Sequence, residues 1–380
     1  MIKIITSGES HGKGVSAVIE GLPAGIPVDV RYINQELQRR QRGYGRGTRM
    51  SIEKDKVEII SGVRHGKTIG SPISLWIANL DYKNWKMMMT VEQGPATARI
   101  TFPRPGHADL AGAIKYGLKD MRNVFERASA RETAARVAAG ALLKFFLKEF
   151  GFQFYSHTVA VGDIEISEKK RTHDELEKSS LRCADPEKEK EMLKLIDMAK
   201  DRGDTIGGVS EVIGTGICIG LGSYTHYEKR LDAQIGHAML SIPSVKGVEI
   251  GNAFENSKKF GSNIHDEIFY KAEKNFYRNT NRAGGIEGGV SNGEDIVVRC
   301  AIKPISTLNI PLRSVDMVTK KEGRAQKERA DTCVVPAVGV IGESMLAFVI
   351  CGAFLEKFGG DTLEDIRAHF DFYSERVKNV

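Results

Sequence analysis

Cysteine is scarce. The chain has five in 380 residues, Cys183, Cys218, Cys300, Cys333 and Cys351, with no CxxC pair. That scattered, odd set excludes a disulfide framework or a zinc knuckle and points to a reducing compartment. No HExxH or comparable ligand spacing occurs among the nine histidines, so metal catalysis is not expected. Charge of one sign is not in large excess. Lys plus Arg is 55 against 49 for Asp plus Glu, and a net +6 implies neither nucleic acid nor membrane. The opening MIKIITSGESHG lacks a basic region followed by an apolar one, so no signal peptide is read and a cytoplasmic location is expected. Long apolar runs are also lacking, with one exception. Residues 337–355 approach the spanning length of ~20 residues, but Glu343 and Ser344 sit mid-run. A centred carboxylate is costly in lipid, so this run reads as a buried core helix stopped by Gly359-Gly360.

Two nucleotide-binding motifs are narrowly missed. SGVRHGKT (61–68) has three residues between its glycines where a P-loop needs four, and it suits a hairpin better. GTGICIG (214–220) misses GxGxxG by one residue, which removes support for a dinucleotide fold.

What remains is ample for a globular core: 41% hydrophobic and 27% charged residues. Strands are read near 2–5, 15–19, 57–60, 73–77, 208–219 and 294–302, with a short helix at 33–41. Ser129 followed by Glu132 forms a capping-box pattern for an Ala-rich helix over 129–150, stopped by Gly151. Residues 164–204 are highly charged and read as an exposed helical insertion. The segments 127–151 and 329–359 both begin Arg-Ala and end in Phe-Gly, which raises a two-fold internal pseudo-repeat.

Chemistry concentrates in a few loops. Arg39, Arg40, Arg42, Arg46 and Arg49 fall within eleven residues, interleaved with Gly43, Gly45 and Gly47. Guanidinium groups bind carboxylate and phosphate through paired, charge-assisted hydrogen bonds. Three readings stand for this loop: a polyanionic small molecule, a solvated basic loop, or RNA, because RGYGRGTR resembles Arg/Gly RNA-contacting segments. In FPRPGHAD (102–109), two prolines fix the backbone around Arg104, and His107 follows. A histidine there can donate or hold a proton, or simply sit at the surface. GESHG (8–12) sets Ser10 and His11 in a tight turn without the GxSxG elbow, so His11 reads as an acid rather than a triad base. ERASARET (126–133) flanks Ser129 with Arg127 and Arg131 at a helix start. That end favours an anion, or is a capped helix with two exposed arginines. Later loops hold paired glycines (NRAGGIEGG, 281–289), a Lys303, Ser306 and Thr307 group suited to phosphate or ring carbonyls, and Asp331 beside Arg329 as a proton acceptor.

Taken together, GESHG, RRQRGYGR, RPGHAD, RASARETAARVAAGA, SVKGVEIG, AGGIEGG and KPIST resemble the chorismate synthase family in order and spacing, from Thr6 to Phe358. The resemblance implies an α+β fold, layered as an α/β sandwich with antiparallel sheets and core helices, in a single domain over 1–380 that assembles as a homotetramer. It implies a carbon–oxygen lyase of the shikimate pathway. Phosphate is lost from 5-enolpyruvylshikimate 3-phosphate by 1,4-anti elimination to give chorismate, with reduced FMN required and no net redox change. Arg40, Arg46, Arg49, Arg104 and Arg131 are then the substrate's anion clamps. The family's NADP-type contacts fall on Arg40 and Arg46, and NADPH enters only if flavin reduction is intrinsic; a separate flavin reductase is the expected partner. Flavin contacts carry over to Arg127, Ala128, Ser129, Pro243, Ser244, Gly288, Lys303, Pro304, Ile305, Ser306, Thr307 and Arg329. His11 is the expected acid for the leaving phosphate, and His107 the group at the flavin N1–C2=O edge. Asp331 and Ser10 relieve flavin N5 of the substrate's proton. Neither nucleic acid nor membrane is an expected partner. An RNA-binding protein is the alternative class. A flavodoxin-like carrier is a further one, which the arginine density disfavours.

Overall fold

A computed structural model describes residues 2–47, 52–94, 99–167, 172–273, 275–328 and 330–380. Arg49 and Arg329 therefore lie outside the described residues. The fold mixes helices with antiparallel sheets. The first sheet holds β1 (Lys3–Gly8), β2 (Gly14–Glu20), β3 (Val57–Ser61) and β4 (Ile73–Ala78), in the order β1-β2-β4-β3. The second holds β5 (Gln153–Val161), β6 (Ile164–Glu165), β7 (Gly208–Thr215), β8 (Val245–Ile250) and β9 (Ile296–Ile302), in the order β8-β9-β7-β5-β6. The main helices are α1 (Val30–Gln41), α2 (Asp109–Tyr116), α3 (Arg122–Ala128), α4 (Thr133–Lys148), α5 (Pro186–Asp201), α6 (Leu231–Leu240), α7 (Val335–Phe358) and α8 (Leu363–Lys378).

Period-two patterning explains the first sheet. Val15, Ala17 and Ile19 of β2 face Ile77, Leu75 and Ile73 of β4 in antiparallel register, and all six are buried. Alternate residues point the same way along a strand, so this register makes one apolar face. α4 packs on that face and α7 packs on the second sheet. The two helices meet each other along their small residues. A Cβ built on Gly140 would lie 2.3 Å from the Ser344 Cβ, so α4 and α7 approach at backbone distance.

α7 bears out the expected core helix. It is the one helix among the described residues long and apolar enough to cross a membrane, and it is mostly buried inside the protein. Its mid-helix carboxylate has local partners. Glu343 is fully buried and accepts from Arg39 (2.7 and 2.9 Å), Lys144 (2.6 Å) and Ser156 (2.7 Å). Burial pushes Glu343 up, but Arg39 and Lys144 outweigh it and hold the carboxyl far below the usual range.

The 61–68 segment is a hairpin whose turn residues, His65 (φ 50°) and Gly66 (φ 75°), occupy the left-handed region that two-residue hairpins need. The start of the Ala-rich helix differs from expectation. Ser129 caps a 3₁₀ turn (Ala130–Glu132) by accepting from the Arg131 N–H, and α4 begins only at Thr133. The capping box does not form, because the Glu132 carboxylate finds a charged partner one turn on, Arg136 at 2.8 Å. In the charged stretch after β6, α5 starts at an Asp185 cap with Pro186 in its first turn. Charges lie on its outer face, while its Met192 and Ile196, with Leu176 from the preceding segment, are buried in the main core.

Candidate functional site

A cavity of about 450 Å³ opens where the β1–β2 turn, the loop after α1, α3, the residues leading into α4 and the start of α7 converge. Asn79, at the end of β4, shapes the first of these. Its buried amide donates to the carbonyls of Glu9 (3.0 Å), Ser10 (3.1 Å) and Gly12 (2.8 Å). Ser10 is buried and its hydroxyl accepts from Ser129 at 3.0 Å. His11 donates its backbone N–H to the Glu126 carboxylate at 2.7 Å, and its Nδ1 lies 3.0 and 3.1 Å from the two Glu126 oxygens. The imidazole stacks on Trp85, with centroids 4.0 Å apart and planes at 27°.

The second imidazole is built the same way. Asp109 is fully buried at the start of α2 and meets His107 Nδ1 in a very short contact. Asp109 also accepts from the Arg104 backbone (3.0 Å) and Nε (2.9 Å). Arg104 continues to Thr307 (2.8 Å) and lies 3.9 Å from the Phe125 ring centroid. Burial pushes Asp109 and Glu126 up. Hydrogen bonds from His107 and Arg104 in one case, and from His11 in the other, outweigh burial and leave both carboxyls below their ordinary range. Each histidine therefore faces an ionised, acceptor-only oxygen on Nδ1.

The four described arginines of the Arg/Gly loop do not act together. Arg39 faces the core and Arg42 is exposed, while Arg40 and Arg46 reach the cavity. Arg40 is buried, donates to Asp55 (2.8 Å) and Thr133 (3.2 Å), and its Nε has no partner among the described residues. Burial pushes the Arg40 guanidinium down, and Asp55 offsets this only in part. An under-compensated buried cation with an orphaned donor is a fit for an anion. Arg131 donates to Asn79 (2.8 Å) and meets Asp55 closely. Arg46 pairs with Asp331 at 2.7 Å, and the same carboxylate accepts from the Gly47 N–H at 2.5 Å. Among its described arginines only Arg42 is exposed, which is no arginine-rich surface for a polynucleotide, and the RNA reading finds no support.

The loops expected to hold a flavin gather at the other imidazole. Lys303 donates to the Gly106 carbonyl (3.0 Å) and Ser306 (2.7 Å), and its backbone N–H donates to Ser244 (2.9 Å). No carboxylate is among the hydrogen-bond partners of Lys303 in the described residues. Burial and the neighbouring Lys246 push its ammonium down. Ser244 holds a φ of 73°, a strained conformation for a non-glycine residue. Ala128, Ser129, Pro243, Ser244, Ile305, Ser306 and Thr307 line the cavity with Lys303, while an apolar wall comes from Val334, Ala337, Val338 and Ile341.

Three expected flavin residues do not line the cavity. Arg127 points outward and ties down β1 through the carbonyls of Thr6 (2.9 Å) and Gly8 (3.2 Å). Gly288 occupies the tight turn between Glu287 and Val290, where its φ of 59° is used for the hairpin. Pro304 sits within the 303–307 loop without lining the cavity. Conversely, the motifs gave no role to Glu126, Trp85, Asn79 or Asp55. Glu126 and Asp109 lay inside quoted motifs, and Trp85 is one of only two tryptophans, but nothing local marks Asn79 or Asp55.

The family model for chorismate synthase matches residues 2–355. The chorismate synthase of Alkaliphilus metalliredigens (strain QYMF) is 52% identical over 378 residues, covering 98% of this chain and 100% of the relative. That of Aquifex aeolicus (strain VF5) is 51% identical over 392 residues, covering 100% of this chain and 98% of the relative. A crystal structure of chorismate synthase aligns with a TM-score of 0.81 at 42% identity, covering 100% of this chain and 99% of that one.

Proposed function

The chain belongs to the chorismate synthase family, and on that premise we propose how its cavity carries out the lyase reaction. In the 1,4-anti elimination, 5-enolpyruvylshikimate 3-phosphate loses phosphate and a ring proton to give chorismate. The observation that carries the assignment of roles is a cavity lined by Arg40, Arg46 and Arg131 and entered by two imidazoles, each backed by a buried carboxylate.

The substrate carries a phosphate and two carboxylates. Arg40, Arg46 and Arg131 bind and orient these anions, with Arg104 behind them and Arg49 as a further clamp outside the described residues. Desolvated guanidinium–anion pairs are the strong kind of hydrogen bond. His11 delivers a proton to the departing phosphate, so the C–O electron pair leaves on a neutralised oxygen. Ser10 and Asp331 take part in moving the proton that the ring loses.

The family implies a reduced flavin, which we take to be FMN. Lys303 and Ser306 suit its phosphate or ring carbonyls, because their loop brings to the cavity a cation with no carboxylate partner among the described residues. Ala128, Ser129, Pro243, Ser244, Ile305 and Thr307 complete that wall. When bound, the flavin supplies electron density that stabilises positive character on the ring as phosphate departs. His107 holds a proton at the flavin-facing wall. Electrons come from a separate flavin reductase, and NADPH contacts at Arg40 and Arg46 matter only for an intrinsic reductase.

We infer a single domain, with the charged stretch packed onto it rather than folded apart. The helices α4 and α7, ending near Gly151 and Gly359, are the paired cores of a two-fold repeat within a layered sandwich. A cytoplasmic homotetramer completes the reading. The functional test is anaerobic: full-length protein, substrate, FMN and dithionite, read by phosphate release. Turnover with reduced FMN and none with oxidised FMN is expected. Absence of phosphate release under reduction overturns the proposal.

A further inference from the structure

His11 sits on a turn between two strands, and a turn alone does not fix an imidazole ring. Three contacts do. The ring face lies on Trp85, the backbone N–H donates to Glu126, and Nδ1 meets both Glu126 oxygens. The preceding residue is tied to the same helix position, since the Ser10 N–H donates to the Glu126 carbonyl at 2.9 Å. Glu126 thus holds the turn by its backbone and the ring by its side chain. Its carboxylate is 3% exposed, so bulk water screens it little.

Other charged groups among the described residues stand around this contact. Arg122, on α3, reaches Glu126 at 3.4 Å and lies 5.1 Å from the Trp85 ring centroid. Asp81 accepts from Trp85 Nε1 at 3.1 Å and from Asn84 at 2.7 Å. The Arg131 guanidinium reaches the turn through Asn79. Glu9 neighbours the ring in the chain. Of these, Glu126 alone forms a hydrogen bond to the ring.

We propose that Glu126 is the positioning residue of the elimination, holding the His11 proton on Nδ1 so that Nε2 is the nitrogen that serves the departing phosphate. The inference rests on His11 being the acid. In the step, the Nε2–H bond breaks as an O–H bond forms on phosphate, and its electron pair stays on nitrogen. Nδ1 keeps its proton, the imidazolium becomes neutral, and Glu126 remains a carboxylate throughout. The Glu126 carboxylate attracts the imidazolium across 3.0 Å, and a neutral side chain in its place removes that attraction.

Two readouts test this on the full-length protein. Glu126→Gln keeps an acceptor for Nδ1–H but removes the charge. Its alkaline limb in kcat against pH is expected to move down by about one pH unit, with substrate KM within about threefold. Glu126→Leu removes the acceptor. Histidine ¹⁵N NMR of the flavin-free protein is then expected to show the His11 proton redistributing to Nε2, where the parent protein keeps it on Nδ1. An unmoved alkaline limb in Glu126→Gln together with an unchanged tautomer in Glu126→Leu overturns the proposal. Should either variant not fold, Glu126→Asp is read by both methods. Retention of the parent limb with the Nδ1 proton supports the proposal, and a parent limb with the proton on Nε2 overturns it. Failure of the underlying reading looks different: His11→Gln would then keep full kcat and the parent pH profile.

Discussion

His107 and His11 share one device, an imidazole whose Nδ1 faces a buried carboxylate, yet the two carboxylates differ in what else they hold. Asp109 also binds Arg104, whereas Glu126 has, among the described residues, only Arg122 at 3.4 Å as a further side-chain partner. Replacing His107 with alanine is expected to lower kcat by ~10²-fold or more on general acid–base magnitudes, with circular dichroism unchanged. A loss under threefold at saturating reduced FMN removes His107 from the chemistry. Arg46→Ala is expected to raise substrate KM by at least ~10-fold, because a desolvated anion loses a charged donor worth about 1.5–3 kcal/mol. Unchanged KM removes Arg46 from the substrate's anion clamps. At this scale the motif residues were legible because they lie together in short strings. Their partners were not. The His11–Glu126 contact spans 115 residues of chain and the Arg131–Asp55 contact 76, and no local spacing encodes either.

The helices show the same division. Alanine content and Gly151 marked α4, and a mid-run Glu343 marked α7 as a core helix rather than a membrane span. The sequence did not reveal that Glu343 would meet Arg39 across 304 residues and Lys144 across 199. Nor did it reveal the 3₁₀ start of α4, which depends on Glu132 preferring Arg136 to the helix end. Glu343→Ala leaves Arg39 and Lys144 uncompensated and is expected to destabilise the fold by about 3–5 kcal/mol in urea unfolding. Gly140→Ala offers a sharper test. In an exposed helix that change stabilises by about 1 kcal/mol. Here the new Cβ meets Ser344, so a loss of about 1–3 kcal/mol is expected. Ser344→Gly in the same chain should recover part of it. A stabilised Gly140→Ala variant contradicts the close crossing of α4 and α7.

Across the molecule, Asp55, Asp109, Glu126 and Glu343 are all held below their ordinary range, against burial and by cationic or imidazole partners. A depressed carboxylate contributes stability that is complete above its unfolded value of ~4 and is lost as pH falls through the folded value. Urea midpoints are therefore expected to stay level from neutral pH to about 5 and to fall steeply below about 4. A midpoint that rises on acidification contradicts these assignments. The mixture of helices with antiparallel sheets and the reaction were legible at this scale because motifs spread along the chain carry the family resemblance together. The homotetramer rests on the resemblance alone, since exposed residues such as Phe260, Tyr270 and Phe276 carry no motif. The central claim is that this cavity eliminates phosphate with a reduced flavin that is not consumed. Its most direct measurement is phosphate released per reducing equivalent, taken anaerobically with a limiting, known amount of reduced FMN. Many phosphates per flavin is the expected result; one phosphate or fewer per flavin, with the flavin left oxidised, contradicts it.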